Sequence, residues 1–393
     1  MANPSFASLA MQPDDPILGL NEEYKQDKRP DKVNLGVGVY LNDAGKLPLQ
    51  GSVRTAEELL VARETTHAYT AMSGNPLFCD AVQELVFGES VARKEKRIGT
   101  VQTLGGTGAL RLGNVLAHDY LGIQQGHVSN PTWGNHVGLL EHAGITVSRY
   151  PYYSAPNHAL DREAFFEYLK TVESGSLVLM HACCHNPTGV DLTQDDWRQV
   201  LEIVRERELL PFIDMAYQGL GEGLDADAFA PRLFADSGVN CLVASSCSKN
   251  FGLYGERTGA LHVITQNEEQ ARVVISILKT VVRQEYSNPP AHGANVVAEI
   301  LTTPELRQTW EKEVNSMRAR ILAMRDQLAD ANPALDFVRH QRGMFSFLGI
   351  SAEQMIALRQ QYGIYGINNS RINIAGLNAN NVERVASAIR AVM

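Results

Sequence analysis

A lysine and an arginine lie close together in SCSKNFGLYGERTGA, residues 246–260, among glycines and other small residues. The preceding residues, NCLVAS, are apolar enough to predict a buried strand, so Lys249 and Arg257 are expected near the end of that strand. The lysine could act as a nucleophilic amine and the arginine could bind an anion. A loop lysine is more often an ordinary solvated charge, so this stretch alone leaves both interpretations open.

Polar residues also follow three other apolar segments. Gly106 and Thr107 follow IGTVQTL, where the backbone N–H groups at the start of a helix would suit a phosphate. Asn186 follows SLVLMHACC, and Asp214 and Tyr217 follow LLPFI. Ligands of open parallel sheets bind beyond the carboxyl ends of the strands, so these groups are expected to converge on one crevice.

The converging groups are an amine, a carboxylate, a phenol, an amide, hydroxyls and a guanidinium. An aromatic aldehyde cofactor with a phosphate would use all of them, because a lysine forms the Schiff base and a carboxylate keeps a pyridine nitrogen protonated. A phenol and an amide would stabilise the ring oxygen, and hydroxyls, glycine amides and an arginine would bind the phosphate. The sequence therefore predicts a site for pyridoxal 5′-phosphate (PLP).

The elements that must position these groups show an alternating pattern. From about residue 98 to residue 300, short apolar runs alternate with amphipathic stretches. One of these, LTQDDWRQVLEIVRERE, has helical spacing, and Thr193 with Asp196 predicts a capping box at its start. Strands that are apolar on both faces and alternate with helices favour a largely parallel sheet covered on both sides.

The pattern changes near residue 303. Thr303 fits a helix N-cap with Pro304 at the first helical position, and apolar residues then recur at steps of three and four as far as Leu328. This predicts a long helix that leads into a second, smaller α+β unit, whose strands are GMFSFLGI, YGIYGI and SRINIAG. The N-terminal segment PDDPILGL is expected to pack against that unit.

Composition excludes several classes of function. The 393 residues suggest a large domain plus a smaller one, and a formal net charge of −9 provides no basic field for nucleic acid or anionic lipid. No apolar run approaches the roughly 18 residues of a membrane span, and no signal peptide is apparent, so a cytoplasmic location is expected. The five cysteines are too few and too irregular for a disulfide framework.

The segment HACCH could suggest a zinc or redox site, because it brings His181, Cys183, Cys184 and His185 together. Its spacing is not a standard ligand pattern, and neighbours on a strand point to opposite faces. No metal is therefore expected, and the cysteines are interpreted as small core residues.

Six segments resemble class I aminotransferases of the aspartate and aromatic amino acid group: SKNFGLYGERTGA, HNPTG, NPTWGNH, FIDMAYQG, YSNPPAHGA and SRINIAG. The similarity extends from DPILGL and NLGVGVY to SRINIAG. It implies a fold type I PLP-dependent transferase, in which a mainly parallel seven-stranded sheet covered by helices forms the large domain beside a smaller α+β domain. The expected limits are 1–45 for an N-terminal segment with part of the small domain, 46–305 for the large PLP-binding domain, and 306–393 for the C-terminal small domain.

The resemblance also implies roles for the residues at the strand ends. Lys249 is expected to form the Schiff base and to move the proton, Asp214 to pair with the pyridinium nitrogen, and Tyr217 and Asn186 to contact the ring oxygen. His136 would support Asp214 from behind. The other cofactor-binding residues implied are Gly106, Thr107, Trp133, Ser246, Arg257 and Tyr69 of the partner subunit.

Substrate binding is implied for a second set of residues. Arg371 is expected to bind the substrate α-carboxylate in a bidentate fork. Arg283 of the partner subunit would bind a side-chain carboxylate, and Gly38, Trp133 and Asn186 would also contact substrate. The family further implies a homodimer with shared active sites, and cis peptides before Pro131 and Pro187.

The reaction implied is amino transfer from L-aspartate, and also from L-phenylalanine or L-tyrosine, to 2-oxoglutarate by a ping-pong mechanism. The alternatives are a mainly aromatic aminotransferase, a PLP-dependent lyase or decarboxylase, and an inactive scaffold with the same fold. Positions thought to tune substrate preference are mixed: Val39, Thr107 and Asn288 match aspartate enzymes, whereas Leu41, Leu47 and Ala68 are apolar. Whether these apolar residues favour aromatic substrates or reflect neutral drift stays open.

Overall fold

The structure is a computed structural model that describes residues 6–11 and 16–393. Its α-helices are α1 Pro16–Gln26, α2 Gly51–Arg63, α3 Pro76–Phe87, α4 Val91–Lys94, α5 Gly105–Val115, α6 Gly134–His142, α7 Arg162–Thr171, α8 Gln194–Arg207, α9 Phe229–Ser237, α10 Glu268–Glu285, α11 His292–Thr302, α12 Pro304–Ala331, α13 Ala352–Tyr362 and α14 Val382–Val392. A π-helical turn, Leu116–Tyr120, extends α5.

The strands are β1 Val33–Asn34, β2 Ile98–Leu104, β3 Gln125–Asn130, β4 Thr146–Pro151, β5 Tyr153–Ser154, β6 Ala159–Leu160, β7 Leu177–His181, β8 Leu210–Met215, β9 Cys241–Ser246, β10 Thr258–Ile264, β11 Phe345–Phe347, β12 Ile364–Tyr365 and β13 Arg371–Asn373. Short 3-10 helices cover Phe6–Ser8, Pro333–His340 and Ile374–Gly376. In the described part of the chain, every helix is too short or too polar to cross a membrane.

Seven strands form the main sheet in the order β2-β10-β9-β8-β7-β3-β4. Neighbours from β9 to β4 pair in parallel, and β10 pairs antiparallel with both β9 and β2. The expected mainly parallel seven-stranded sheet is therefore confirmed. The reversal of β10 was not anticipated, and it explains how Lys249 and Arg257 belong to one turn, since the chain leaves β9 and returns at once along β10.

Helices cover both faces of this sheet because its central strands are apolar on both sides. Every residue of β7, β9 and β10 is buried. One hydrophobic cluster contains residues of α7, α8 and α9, and another contains residues of α5 and α10. The capping box predicted for α8 is present, since the Thr193 hydroxyl accepts a hydrogen bond from the Asp196 N–H and the Asp196 carboxylate accepts one from the Thr193 N–H.

The C-terminal part of the chain forms the smaller α+β unit. It combines the two-stranded antiparallel pair β11 and β13 with α13 and α14, and β12 pairs in parallel with β1 from the N-terminal part. The helix α12 begins at Pro304 as predicted, although the Thr303 side chain makes no capping hydrogen bond. The large sheet and this smaller unit confirm the fold class, and the exact limits of the domains stay a prediction.

The N-terminal helix α1 contacts the smaller unit. The Tyr24 ring lies 5.3 Å from that of Tyr365 in an edge-to-face arrangement, and the Glu23 carboxylate lies 3.3 Å from the Arg359 guanidinium. These contacts are made by residues that follow the segment PDDPILGL, so the packing of that segment against the smaller unit stays a prediction; its residues 13–15 lie outside the described residues.

Candidate active site

A cavity of about 210 Å³ lies at the carboxyl ends of β7, β8 and β9. Most of the side chains that the sequence placed at strand ends line it, as expected for an open parallel sheet. The predicted residues that line it are Gly38, Gly106, Thr107, Trp133, Asn186, Asp214, Tyr217, Ser246, Lys249, Arg257 and Arg371.

Lys249 lies in the turn after β9 and points into the cavity. Its Nζ atom is 5.1 Å from the centroid of the Tyr217 ring. Burial lowers the pKa of the Lys249 amine to about 8; the Asp214 carboxylate opposes this, and the positive charges of Arg257 and Arg371 add to it. An amine with such a pKa exchanges protons readily near neutral pH, which suits a general base.

Asp214 lies on β8 and is held from behind by a histidine. Its Oδ2 atom is 3.0 Å from His136 Nε2, and His136 Nδ1 is 2.8 Å from the Thr132 hydroxyl. Burial opposes ionisation of Asp214, but the hydrogen bond from His136 and the positive charges nearby hold its pKa below the usual value. The carboxylate therefore stays negative in a buried place, where it can pair with a cationic nitrogen.

Arg371 enters the cavity from β13 in the smaller unit. Its guanidinium donates to Asn186 Oδ1 at 3.3 Å and to the Gly36 carbonyl at 2.8 Å, and it lies over the Phe345 ring at 4.2 Å. Asn186 Nδ2 lies 3.5 Å from the Tyr217 hydroxyl, at the limit of a hydrogen bond. The guanidinium is thus fixed beside the amide and the phenol, in a position to receive a carboxylate.

The start of α5 forms the end of the cavity that suits a phosphate. A side chain at Gly105, which has a positive φ of 66°, would meet the Arg257 guanidinium at 2.8 Å, and one at Gly106 would meet Ser246 Cβ at 3.3 Å. The Ser246 hydroxyl is 3.2 Å from that of Ser248, which also lines the cavity. Helix N–H groups, hydroxyls and a guanidinium fit a phosphate group.

Three predicted residues do not line this cavity. His136 lies behind Asp214, as expected for a supporting residue. Tyr69 is 94% exposed, and Arg283 is exposed at the end of α10, where it donates to the Ser287 hydroxyl. A single chain therefore does not bring Tyr69 and Arg283 to its own site, and both were expected to act in the site of the partner.

Sequence reasoning did not assign His181 and Phe345 to this cavity, although both line it. The His181 ring lies 4.9 Å from that of His136 and 4.3 Å from that of His185. Burial lowers the pKa of His181 to about 3, so it is neutral. His181 is the last residue of β7, so the rule that found Asp214 could have found it.

The two cysteines of HACCH were expected to point to opposite faces of a strand, and this expectation was wrong. The strand β7 ends at His181, and Cys184 adopts a positive φ of 52°. Both sulfur atoms and a carboxylate oxygen of Asp227 lie within 4.8 Å of one another. The backbone turn, rather than strand alternation, thus decides where these thiols lie. The cis peptides expected before Pro131 and Pro187 are present.

A mainly parallel sheet with a buried lysine, an aspartate held by a histidine and a helix start that suits a phosphate is typical of enzymes that act through a bound aromatic aldehyde. The comparison with protein families specifies it further. The model of the aminotransferases of class I and II matches residues 30–389, and the chain belongs to this family.

Relatives of known function include both kinds of aminotransferase that the resemblance suggested. The chain is 45% identical to an aspartate aminotransferase of Pseudomonas aeruginosa, over 99% of each chain. It is 48% identical to an aromatic-amino-acid aminotransferase of the same organism, over 98% of each. A crystal structure of the aromatic-amino-acid aminotransferase from Burkholderia pseudomallei, covalently bound to pyridoxal phosphate, superimposes with a TM-score of 0.97 at 45% identity over 100% of both chains.

Proposed function

We propose that this chain is a PLP-dependent aminotransferase that transfers the amino group of L-aspartate, and of L-phenylalanine or L-tyrosine, to 2-oxoglutarate. The observation that carries the proposal is the meeting of Lys249, Asp214 and Arg371 in one cavity. These residues supply an amine, a buried carboxylate and a carboxylate-binding guanidinium. A transaminase needs all three groups within reach of one substrate.

PLP would supply the electron sink that lets the Cα proton of an amino acid leave. The Asp214 carboxylate, held by His136, would bind a protonated pyridine nitrogen, and Asn186 with Tyr217 would bind the ring oxygen. The Lys249 amine would attach the aldehyde and then hold the moving proton on Nζ. Trp133 lies beside the His136 ring at 5.3 Å, where its indole can cover one face of an aromatic ligand.

Arg371 would bind the α-carboxylate of every substrate, since its planar guanidinium can donate two parallel hydrogen bonds. Its contacts with the amide of Asn186 and the ring of Phe345 limit its rotation. The same arginine would therefore orient the Cα–H bond of each amino donor in the first half-reaction. In the second half-reaction it would orient the Cα atom of the oxo acid that becomes the amino product. This supports a ping-pong exchange through one site.

We further propose a homodimer in which Tyr69 and Arg283 of the partner subunit complete each site. The exposure of both side chains in the single chain supports this proposal. Arg283 would then bind the side-chain carboxylate of aspartate or glutamate. A cytoplasmic location stays a prediction.

Mixed dimers test the shared site. Lys249→Ala and Arg283→Ala chains, each nearly inactive towards aspartate alone, are expected to regain activity when they are mixed and allowed to exchange subunits. One site of the mixed dimer would carry both substitutions and the other would carry neither. A mixture no more active than its components would contradict the shared site, once a tagged chain shows that exchange has occurred.

A mainly aromatic aminotransferase is the second candidate, because the cavity has apolar walls of Leu110, Trp133 and Phe345 and the chain is 48% identical to an aromatic-amino-acid enzyme. Leu41, Leu47 and Ala68, which suggested this alternative, are not among the described residues that line the cavity. Leu47 is 49% exposed. Their effect on substrate preference therefore stays a prediction.

An amino-donor panel with 2-oxoglutarate as acceptor tests the proposal. We expect measurable kcat/KM for both aspartate and phenylalanine, and glutamate with the matching oxo acid as the only products. A ratio above about 10⁴ between the two donors would contradict dual specificity, because it requires nearly 5.5 kcal/mol of discrimination. Consumption of the amino donor without formation of glutamate would instead favour a decarboxylase or lyase.

A further inference from the structure

A second buried cluster of reactive groups lies outside the active-site cavity, where Cys183 and Cys184 meet Asp227. The two side chains are 5% and 2% exposed, and the two sulfur atoms and an Asp227 carboxylate oxygen lie within 4.8 Å of one another. The left-handed backbone of Cys184 brings the adjacent thiols to the same side. The two thiols therefore lie close enough to act as a pair.

A cavity of about 450 Å³ gives access to this pair. Cys183 and Asp227 line it, together with Asp191, Trp197, His340 and Arg342. The cavity is separate from the PLP-type site and lies where the loop after β7 meets the segment that leads into β11. A small reagent can therefore reach Cys183 without passing through the active-site cavity.

The immediate surroundings of Cys184 are tightly packed on two sides. A side chain at Gly343 would lie 2.7 Å from the Cys184 sulfur, and one at Gly221 would lie 3.1 Å from it. The absence of a side chain at both glycines therefore provides the space that the Cys184 sulfur occupies. Asp227 is equally fixed, because its carboxylate accepts hydrogen bonds from the N–H groups of Gly219, Gly221 and Glu222 at 2.7–2.9 Å.

We propose that Cys183 and Cys184 form a chelating site for trivalent arsenic, a thiophilic metalloid that binds paired thiols. In the reaction with an aryl arsenoxide, both S–H bonds and the As=O bond break, two As–S bonds form, and the two protons leave with the oxygen as water. Arsenic stays trivalent, so no oxidant or reductant is needed. The adduct also carries no net charge, which matters because a buried charge is costly.

The same surroundings disfavour reactions that need a free thiolate. Burial raises the pKa of the Cys184 thiol to about 12, so monofunctional alkylating agents meet almost no thiolate there. Cys79 is the less buried comparison, and it lies far along the sequence beside a different cavity. A reagent that selects by exposure will take Cys79 first, whereas a reagent that selects paired thiols will take Cys183 and Cys184.

Occupation of the pair is expected to reach the active site through the backbone. The N–H groups of Cys184 and His185 both donate to the Asp191 carboxylate at 2.7 Å, and Asn186 follows directly. Because Asn186 accepts a hydrogen bond from Arg371, displacement of this loop would move a group of the active-site cavity. The arsenic adduct should therefore reduce transaminase activity from outside the cavity.

The test uses the holoenzyme and phenylarsine oxide. After removal of free reagent, we expect about one arsenic atom per chain by mass spectrometry of the metalloid. Alkylation of the denatured adduct should then leave Cys183 and Cys184 protected together, with Cys79, Cys241 and Cys247 modified. A dithiol added before denaturation should release the arsenic and restore both alkylation and activity.

Single variants separate chelation from exposure. Cys183→Ser and Cys184→Ser should each lose arsenic retention, whereas Cys79→Ser, the matched control, should retain it. The proposal is overturned if no arsenic is retained, if the protected thiols are a different set, or if Cys183→Ser and Cys184→Ser bind as much as the control. The protection pattern of the unmodified chain decides the matter even if a serine variant does not fold.

Discussion

Lys249 and Arg325 are two buried cations of this molecule, and they are balanced in different ways. Lys249 faces the active-site cavity and lies near the Asp214 carboxylate. Burial lowers the pKa of its amine to about 8. Arg325 is 0% exposed on α12, and burial lowers its pKa to about 9. Its hydrogen-bond acceptors in the described part of the chain are carbonyl oxygens rather than carboxylates.

Arg325 uses its charge to hold backbone. It donates to the carbonyls of Val338, Arg342, Gly343 and Phe345 at 2.7–3.2 Å, and so fixes the segment that carries Phe345 into the active-site cavity. Among the residues that the structure describes, Lys249 has no such set of acceptors, and its amine is left able to react. Burial disfavours the charge of both side chains, but Arg325 gains four hydrogen bonds to the backbone, whereas the cost of Lys249 is not offset in this way and its amine is available for the proposed chemistry.

Loss of the reactive amine should give the largest effect. Lys249→Ala is expected to reduce kcat/KM for aspartate by at least about 10⁵-fold, or about 7 kcal/mol, because no other described cavity residue offers an amine. Steady-state and single-turnover assays with added PLP measure it. Lys170→Ala, which removes a surface lysine paired with Glu167, is the control and should keep full activity. Residual activity above about 1% in the Lys249 variant would assign the proton transfer to another group.

Removal of the negative charge beside Lys249 should give the next largest loss. Asp214→Asn keeps the size of the side chain but removes the carboxylate that would bind a cationic ring nitrogen, so we expect a loss of about 10³-fold in kcat. The measurement is kcat with aspartate under saturating PLP and 2-oxoglutarate. Asp195→Asn on the surface of α8 serves as the control, since its side chain is 85% exposed. A loss below about tenfold would show that the charge of Asp214 has little part in the reaction.

Much of this site could be predicted because it lies at the ends of apolar strands. Asp214 and Lys249 were found from the runs LLPFI and NCLVAS, since strands buried on both faces are recognisable and their carboxyl ends share an edge. The role of Arg371 came only from the family resemblance, because nothing in its local pattern separates it from a surface arginine. Nothing in the sequence distinguishes Arg325, since its burial depends on the fold of residues 338–345 around it.

Replacement of Arg325 tests the structural side of the comparison. Arg325→Met keeps much of the volume but leaves four carbonyls without their donor, and we expect a loss of about 4 kcal/mol in the free energy of unfolding. Arg318→Met on the same helix is the matched control, because within the described residues Arg318 donates to a single carbonyl, that of Gly219, at 3.3 Å. Its cost should stay near about 1 kcal/mol. Urea unfolding of both variants measures the two losses in the free energy of unfolding. Equal losses would refute the special role of Arg325.

The smallest effect is the cost of Lys249 to the fold, and it depends on pH. In the cofactor-free protein the pKa of Lys249 is about 8, against 10.5 for the ordinary amine, so the unfolded chain holds the proton across that window while the native chain does not. Stability must therefore rise with pH through this window: the cost is fully present below pH 8 and vanishes above 10.5. The gap corresponds to at most about 3 kcal/mol.

Lys249→Met should be more stable than the unmodified chain by that amount near neutral pH, and the difference should shrink as the pH is raised. Urea unfolding of the two cofactor-free proteins at a series of pH values measures it, with Lys170→Met as the control. A difference that does not change with pH would mean that the amine keeps its ordinary pKa, and the contrast between a reactive and a structural cation would lose its energetic basis.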